Sequence, residues 1–332
     1  VFVSSEGAYA GGSIIQPDNY TITENPFIKR FNASGTELLT LTLPSRYTTS
    51  STTVGPRNNL ALESLTLTPN DSYLFTAVEA PLKQDQSLTA LQANAAPLNR
   101  ILRFDLSGGI VANPPSQEFL YVADAGYGLS ELLAIDNSGQ RLLAIERAAN
   151  TSGTVTGVKV YEISLTGATD ISGTAALGGS TSGITTATKN VLADFSTPAL
   201  SSLLANYEGV TFGPLLPDGR RSLVLVSDNN GAGARFTTFA LNEAPTLVTI
   251  AATDASAAEA GQNPGTFRIS RTGGTTNSLT VNYAIATGTG QATSADYTPT
   301  LTGSVVIPIG QSFVDITITR SSRQAAKPSP ST

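Results

Sequence analysis

The sequence predicts an all-β protein, a β-propeller followed by a small β-sandwich. Three observations carry this. Apolar and polar residues alternate with a period of two through most of the 332 residues, and no segment sustains the 3.6-residue period of a long helix. Along residues 1–241 an acidic residue at a strand end, a turn rich in Asp, Asn or Gly, and an outward strand recur at irregular intervals, as in blades around a channel. After residue 241 the texture changes to closely spaced strands with turn signals between them, which fits a sandwich.

The opening Val1-Phe2-Val3-Ser4-Ser5 reads as a strand. Leu38–Leu43, Ser64–Thr68 and Ser72–Val78 alternate cleanly. Arg100–Asp105, Glu118–Ala123, Glu131–Ile135, Arg141–Glu146, Lys159–Leu165, Gly209–Phe212, Ser222–Ser227 and Thr237–Leu241 follow. Turn clusters such as Pro69-Asn70-Asp71 and Asp136-Asn137-Ser138-Gly139 separate them. Ser/Thr/Gly-rich insertions occupy 44–58, 84–99 and 172–190, and only Ser196–Asn206 offers a short helix. Asn242–Pro245 reads as a linker. Beyond it come strands at Thr246–Thr253, Gly265–Arg271, Leu279–Thr287, Gly303–Pro308 and Ser312–Thr319. The expected domains are therefore a propeller over 1–243, a sandwich over 244–320 and a disordered, Arg/Lys/Ser/Pro-rich tail over 321–332.

Composition removes whole chemistries. The chain has no His, Cys, Met or Trp. That excludes a Ser-His-Asp triad, an imidazole ligand, a thiolate nucleophile, a disulfide and a zinc ribbon. Net charge is −6, charged residues are 13%, and basic residues do not cluster, so nucleic acid is not an expected partner. No apolar run is long enough for a membrane span. Low charge with many Thr, Ser, Gly and Asn fits an extracellular or cell-surface setting. Gly179–Gly183 is not a nucleophile elbow, since no His exists to serve as base. Asp228–Gly233 lacks the acidic twelfth position of an EF-hand, where Phe239 stands.

Particular stretches carry a resemblance. They are Ser4-Ser5-Glu6-Gly7, Asn59–Leu65, Arg100–Asp105, Gly128–Leu132, Leu142–Arg147, Asn206–Gly209, Pro217–Arg220 and Ser227–Asn230. In this order and spacing they resemble the phytase-like propeller family, described by the esterase-like activity of phytase. The resemblance implies about two further blades before Ser4, hence a partial, N-terminally incomplete propeller. The family's usual Glu-Gly pair reads Glu63-Ser64 here. Residues 246–319 are similar to a Calx-beta domain through Ala258–Gly261, Gly265–Arg271, Val281–Tyr283, Ala292–Tyr297 and Ile307–Gly310. The family continues with an acidic segment and further strands where this chain runs into Arg320–Arg323, so this domain is expected to be C-terminally incomplete.

The resemblance implies a secreted, calcium-dependent phosphoric-ester hydrolase with its metal in the propeller channel. Calcium takes six to eight oxygens and needs no His. The catalytic candidates are Glu131, Glu146 and Arg147. The metal candidates are Glu6, Glu63, Glu79, Glu208, Asp228 and Asn229, with Glu259 and Asp296 in the second domain. Arg30, Arg57, Lys83 and Arg100 are further candidates for holding phosphate. The competing account of all these charges is structural: carboxylates that cap strand ends or pair with Arg. The alternative function is a non-catalytic extracellular calcium-binding adhesion or structural surface protein. Open sheet edges leave room for a homo-oligomer or a surface assembly.

Overall fold

The computed structural model describes residues 1–11, 18, 20–48, 51–109, 114–217, 220–228, 233–241, 248–258, 263–272, 275, 278–286, 288 and 292–321. The chain forms two compact units, 1–241 and 242–332. The linker at 242–245 and the tail from 322 lie outside the described residues.

The first unit begins with β1 (Phe2–Ser5), a hairpin of β2 (Ala8–Gly11) and β3 (Tyr20–Glu24), then β4 (Phe27–Phe31) and β5 (Glu37–Thr40). Strands β1, β4 and β5 form one antiparallel sheet. After a one-turn helix α1 (Ser45–Thr48) comes a meander of β6 (Leu62–Leu67), β7 (Tyr73–Val78), β8 (Leu98–Asp105) and β9 (Gln117–Val122). Helix α2 (Leu88–Gln92) interrupts it, and its Ser87 side chain caps the Ala90 N–H. A second meander holds β10 (Gly128–Ala134), β11 (Arg141–Ala149), β12 (Val155–Ser164) and β13 (Thr188–Asp194). The last sheet holds β14 (Asn206–Leu215), β15 (Arg221–Asp228) and β16 (Phe236–Ala240).

The first strands of these sheets adjoin in series: β1 beside β6, β6 beside β10, β10 beside β14. Meanders joined through their first strands are propeller blades, with those strands lining the channel. The core lies between blades. Leu74 and Leu102 pack with Ile28 of the first blade, whereas their neighbours Phe75 and Ile101 pack with Leu132 and Leu142 of the third. Leu143 and Ile145 turn the other way, onto Tyr207, Leu223 and Leu225 of the fourth. Strand alternation thus feeds two cores from one blade. Burying each such Leu or Ile contributes about 1.5–3 kcal/mol.

One irregularity repeats. Ladder register shifts by one residue at Glu63 in β6, at Ser130 in β10 and at Glu208 in β14. Each β-bulge sits at the channel end of a first strand and re-aims one side chain. Ser64 replaces glycine after Glu63 without loss of the bulge. On the second strands Val78, Glu146 and Ser227 stand opposite Leu62, Leu129 and Tyr207. The next residues, Glu79, Arg147 and Asp228, therefore share one slot in three successive blades.

The second unit contains β17 (Val248–Asp254), β18 (Gly265–Arg271), β19 (Leu279–Asn282), β20 (Tyr297–Thr298), β21 (Ser304–Ile307) and β22 (Phe313–Arg320). Strands β17, β18, β22 and β20 make one sheet, and β19 pairs with β21. Its buried apolar residues include Ile269, Tyr297 and Ile307.

The structure differs from the sequence reading at several elements. The helix expected near 196–206 is a single 3-10 turn at Ser201–Leu203. Helices α1 and α2 and strand β13 fall in or beside the insertions read as loops, and β2, β3 and β4 were not foreseen. These segments are short, seven residues or fewer, and tertiary pairing forms them where local pattern is weak.

Candidate functional site

The channel end of the first unit opens into a cavity of about 860 Å³. Its polar wall carries Glu6, Glu63, Glu79, Arg147, Asn206, Glu208 and Asp228, and an apolar wall carries Leu88, Leu91, Pro97 and Tyr127. The bulges deliver Glu63 and Glu208, and the matching second-strand slot delivers Glu79, Arg147 and Asp228. Glu6 arrives from the end of β1. Its Oε2 accepts the Ala61 N–H at 3.2 Å, and Gly7 turns the chain away at φ +88°. A Cβ on Gly7 would collide with the Glu24 carbonyl, so this turn needs glycine.

Arg147 organises the wall. Its Nη2 donates to Glu79 Oε1 at 2.7 Å, and its Nη1 donates to Glu208 Oε1 and Asn206 Oδ1. Asn206 Nδ2 donates in turn to Glu208 Oε1 at 2.8 Å. The guanidinium is 15% exposed and has two N–H donors left of its five. Burial works against its charge, but Glu79 and Glu208 outweigh burial and raise its pKa.

Glu79 is fixed by its backbone. Its N–H donates to Ala61 O, and its carbonyl accepts from Leu129 N and from the buried Asn99 Nδ2 at 2.6 Å. Asn99 Nδ2 also donates to Val78 O. Burial lifts the Glu79 pKa while Arg147 pulls the other way, and Glu79 Oε2 is buried without a hydrogen-bond partner. Burial, then the charges of Glu79 and Glu6 and a hydrogen bond with Glu6, push Glu63 up to about 10. Glu63 therefore holds a proton at neutral pH, as expected for crowded carboxylates.

Six of the predicted catalytic and metal-binding residues thus line one cavity: Glu6, Glu63, Glu79, Arg147, Glu208 and Asp228. Glu146 does not join them. It faces the opposite side of β11 from Arg147, in the slot of Val78, where it accepts from Tyr121, from Asp124 N at 2.8 Å and from Lys189 at 2.6 Å. Glu131 does not join them either, because the bulged residue of β10 is Ser130 and Glu131 follows it, opposite Ile145. It accepts from Leu132 N, and burial pushes its pKa up to about 8. Asp296 caps a turn by accepting from Thr293 N and Oγ1, both at 2.8 Å. Asn229 and Glu259 lie outside the described residues.

Most of the other basic candidates serve structure. Arg100 pairs with Asp85 and Glu118, fully buried. Arg57, at the cavity edge, pairs with Asp18 and donates to backbone carbonyls, as does Lys83. Arg30 lies in β4 opposite Phe2. Asn99, Gly128 and Asn206 were not among the sequence candidates. The signal for Asn99 is an amide beside Arg100 at the start of β8 (Leu98–Asp105), a strand that is buried along most of its length.

The wall was also compared with what calcium requires. Among the described residues no three acidic side chains form a group able to hold a metal ion. Glu79 and Glu208 are engaged by Arg147, and one orphan oxygen falls far short of six to eight donors. The residues as arranged do not fit a calcium cage. What they offer is a fixed guanidinium, a protonated carboxyl and further carboxylates around a half-apolar cavity.

Blades joined through their first strands, with charged residues at the channel end, define a β-propeller with a channel-mouth site. The chain belongs to the Phytase-like family, described as esterase-like activity of phytase, whose model matches residues 1–231. No curated protein matches the chain. One similar solved structure is the periplasmic gluconolactonase PpgL of Pseudomonas aeruginosa. It is 11% identical over 96% of each chain, with a TM-score of 0.24, a remote likeness. The family match ends before the second unit, and the Calx-beta relation of that unit stays an expectation from its residues.

Proposed function

We propose that the first unit is an ester hydrolase acting at the channel-mouth cavity, with phosphoric esters as the substrate class its family description suggests. Arg147 anchors the anionic oxygen of the ester with its remaining N–H donors. Glu63, protonated at neutral pH, donates to the leaving oxygen, and Asp228 or Glu208 takes the proton of the attacking water. The observation that carries this reading is the Arg147 guanidinium held by Glu79 and Glu208 at the wall of a large cavity, in a chain of this family. Low charge and Thr/Ser-rich strands support an extracellular or surface setting.

The test is turnover of p-nitrophenyl phosphate and p-nitrophenyl acetate by the full chain. Hydrolysis of either, falling about 100-fold in Arg147→Met, supports the proposal. Absence of turnover on both sinks it.

A second reading is a surface or adhesion module. In its favour, Val248, Ile250 and Phe267 share one face of the second unit's sheet, and Ile250 is 59% exposed. Attachment of the full chain to a surface, lost when Ile250 becomes Ser, with no turnover, is the outcome this reading requires.

A further inference from the structure

From the repeated slot we infer that the Arg147 guanidinium is the resident cation of the cavity, and that it stands where a divalent metal ion binds once that side chain is removed. The inference concerns the cavity assigned above to hydrolysis, but it rests on the arrangement of the wall and is read by binding.

The argument starts from ladder register. Glu79, Arg147 and Asp228 occupy equivalent positions on the second strands of three successive blades. In two of the three the slot is acidic. In the middle one it is Arg, and that Arg binds the acidic side chain of the slot before it and the bulge carboxylate of the blade after it. The guanidinium therefore lies at the meeting point of oxygens supplied by neighbouring blades: Glu79 Oε1, Glu208 Oε1 and Asn206 Oδ1. These are the oxygen types that hard divalent cations choose.

A second observation is independent of the acidic cluster. Glu79 is 5% exposed, and its other oxygen, Oε2, is buried and lacks any partner. Without Arg147 both oxygens of a buried carboxylate would stand uncompensated beside Glu208. A buried charge in that position must be neutralised by a proton or a counter-ion. The Asn206 oxygen and the two carboxylates favour a cation. In the wild-type chain the guanidinium fills the place and repels a second cation.

The test uses terbium luminescence on the full chain after treatment with chelator. The chain has no Trp, so Tyr is the sensitiser, and Tyr127 lines the cavity. The wild type is expected to show no saturable emission that depends on Tyr127. Arg147→Ala is expected to gain a saturable, calcium-displaceable signal, with a midpoint about tenfold or more below any wild-type response. That signal disappears when Glu79→Gln or Tyr127→Phe is added, and Arg147→Lys, which keeps the charge, stays silent. Arg147→Met preserves more of the stem's packing and serves if the alanine variant does not fold. Saturable wild-type emission abolished by Glu79→Gln overturns the inference, and so does a folded Arg147→Ala that binds no better than wild type. Where no Arg147 variant folds, the wild type still decides: emission that is lost in Glu79→Gln or Tyr127→Phe refutes the inference, and its absence supports it.

Discussion

Gly128 lies directly against Glu79: a Cβ on residue 128 would sit 2.8 Å from Glu79 Cγ and 3.1 Å from its Oε1. Gly128 is also the ladder partner of Arg147. The missing side chain is what lets Glu79 pass β10 and meet the guanidinium. Gly128→Ala is therefore expected to displace Glu79, break the ion pair and reduce ester turnover about tenfold or more, while costing about 1–3 kcal/mol of stability. Turnover measured beside urea denaturation checks it. An alanine variant with unchanged kcat/KM would show that the Glu79–Arg147 contact does not matter to the site.

Arg147 bridges three acceptors through two arms of a planar fork, a geometry that a lysine ammonium on its flexible stem does not reproduce. Arg147→Lys is expected to keep the fold and lose about 10- to 100-fold in kcat/KM. Chelation is expected to leave wild-type turnover unchanged, because the wall has its own cation. Turnover with and without chelator, in both proteins, reads this directly.

The acidic wall sets a preference between esters. Glu6, Glu208 and Asp228 face the same space as Arg147. A dianionic phosphate ester meets repulsion there that a neutral carboxylic ester does not. KM for p-nitrophenyl phosphate is expected to fall as salt rises from ~0.05 to ~0.5 M, through screening. KM for the acetate should stay level. Equal salt responses would argue that the ester does not enter this cavity.

Glu131 gives a pH signature in stability. Burial raises its folded pKa to about 8 from an ordinary 4.5, against the pull of the Leu132 and Leu65 N–H groups. Between those values the folded chain keeps a proton that the unfolded chain has released. Stability contributed by this group is thus present below 4.5, declines as pH rises, and is lost above 8. Glu131→Gln removes the slope, so its advantage over wild type should grow with pH. Denaturation at about pH 5, 7 and 9 measures the difference.

Much of the channel wall was legible because strand-end acids followed by turns are a local pattern, and five of the acids chosen that way line one cavity. Two candidates, Glu146 and Glu131, lie outside the cavity for local reasons. Glu146 and Arg147 are adjacent charges on one strand, and alternation requires them to part without saying which faces the channel. The inter-blade face, normally apolar, accepts Glu146 because Lys189, Tyr121 and the Asp124 N–H meet it there. Glu131 lies apart because a bulge at Ser130 is invisible in the letters: the shift sets Glu131 opposite Ile145, the partner Ser130 would have in an unbroken ladder, and leaves Ser130 as the bulged residue. Asn99 acts through two backbone carbonyls that lie about 20 residues earlier in the chain. No spacing rule announces such a contact.

The bulged residues of these first strands stand outside the ladder, one in each of three blades, and so carry no pairing duty. Glu63, Ser130 and Glu208 show the result: the same joint accepts an acid, a hydroxyl and an acid while the sheets around it keep their form. Each of these three blades thus offers a socket whose occupant can be exchanged alone. A set of such sockets around one axis lets the charge of the mouth be rewritten a residue at a time, with the scaffold left to bear the load.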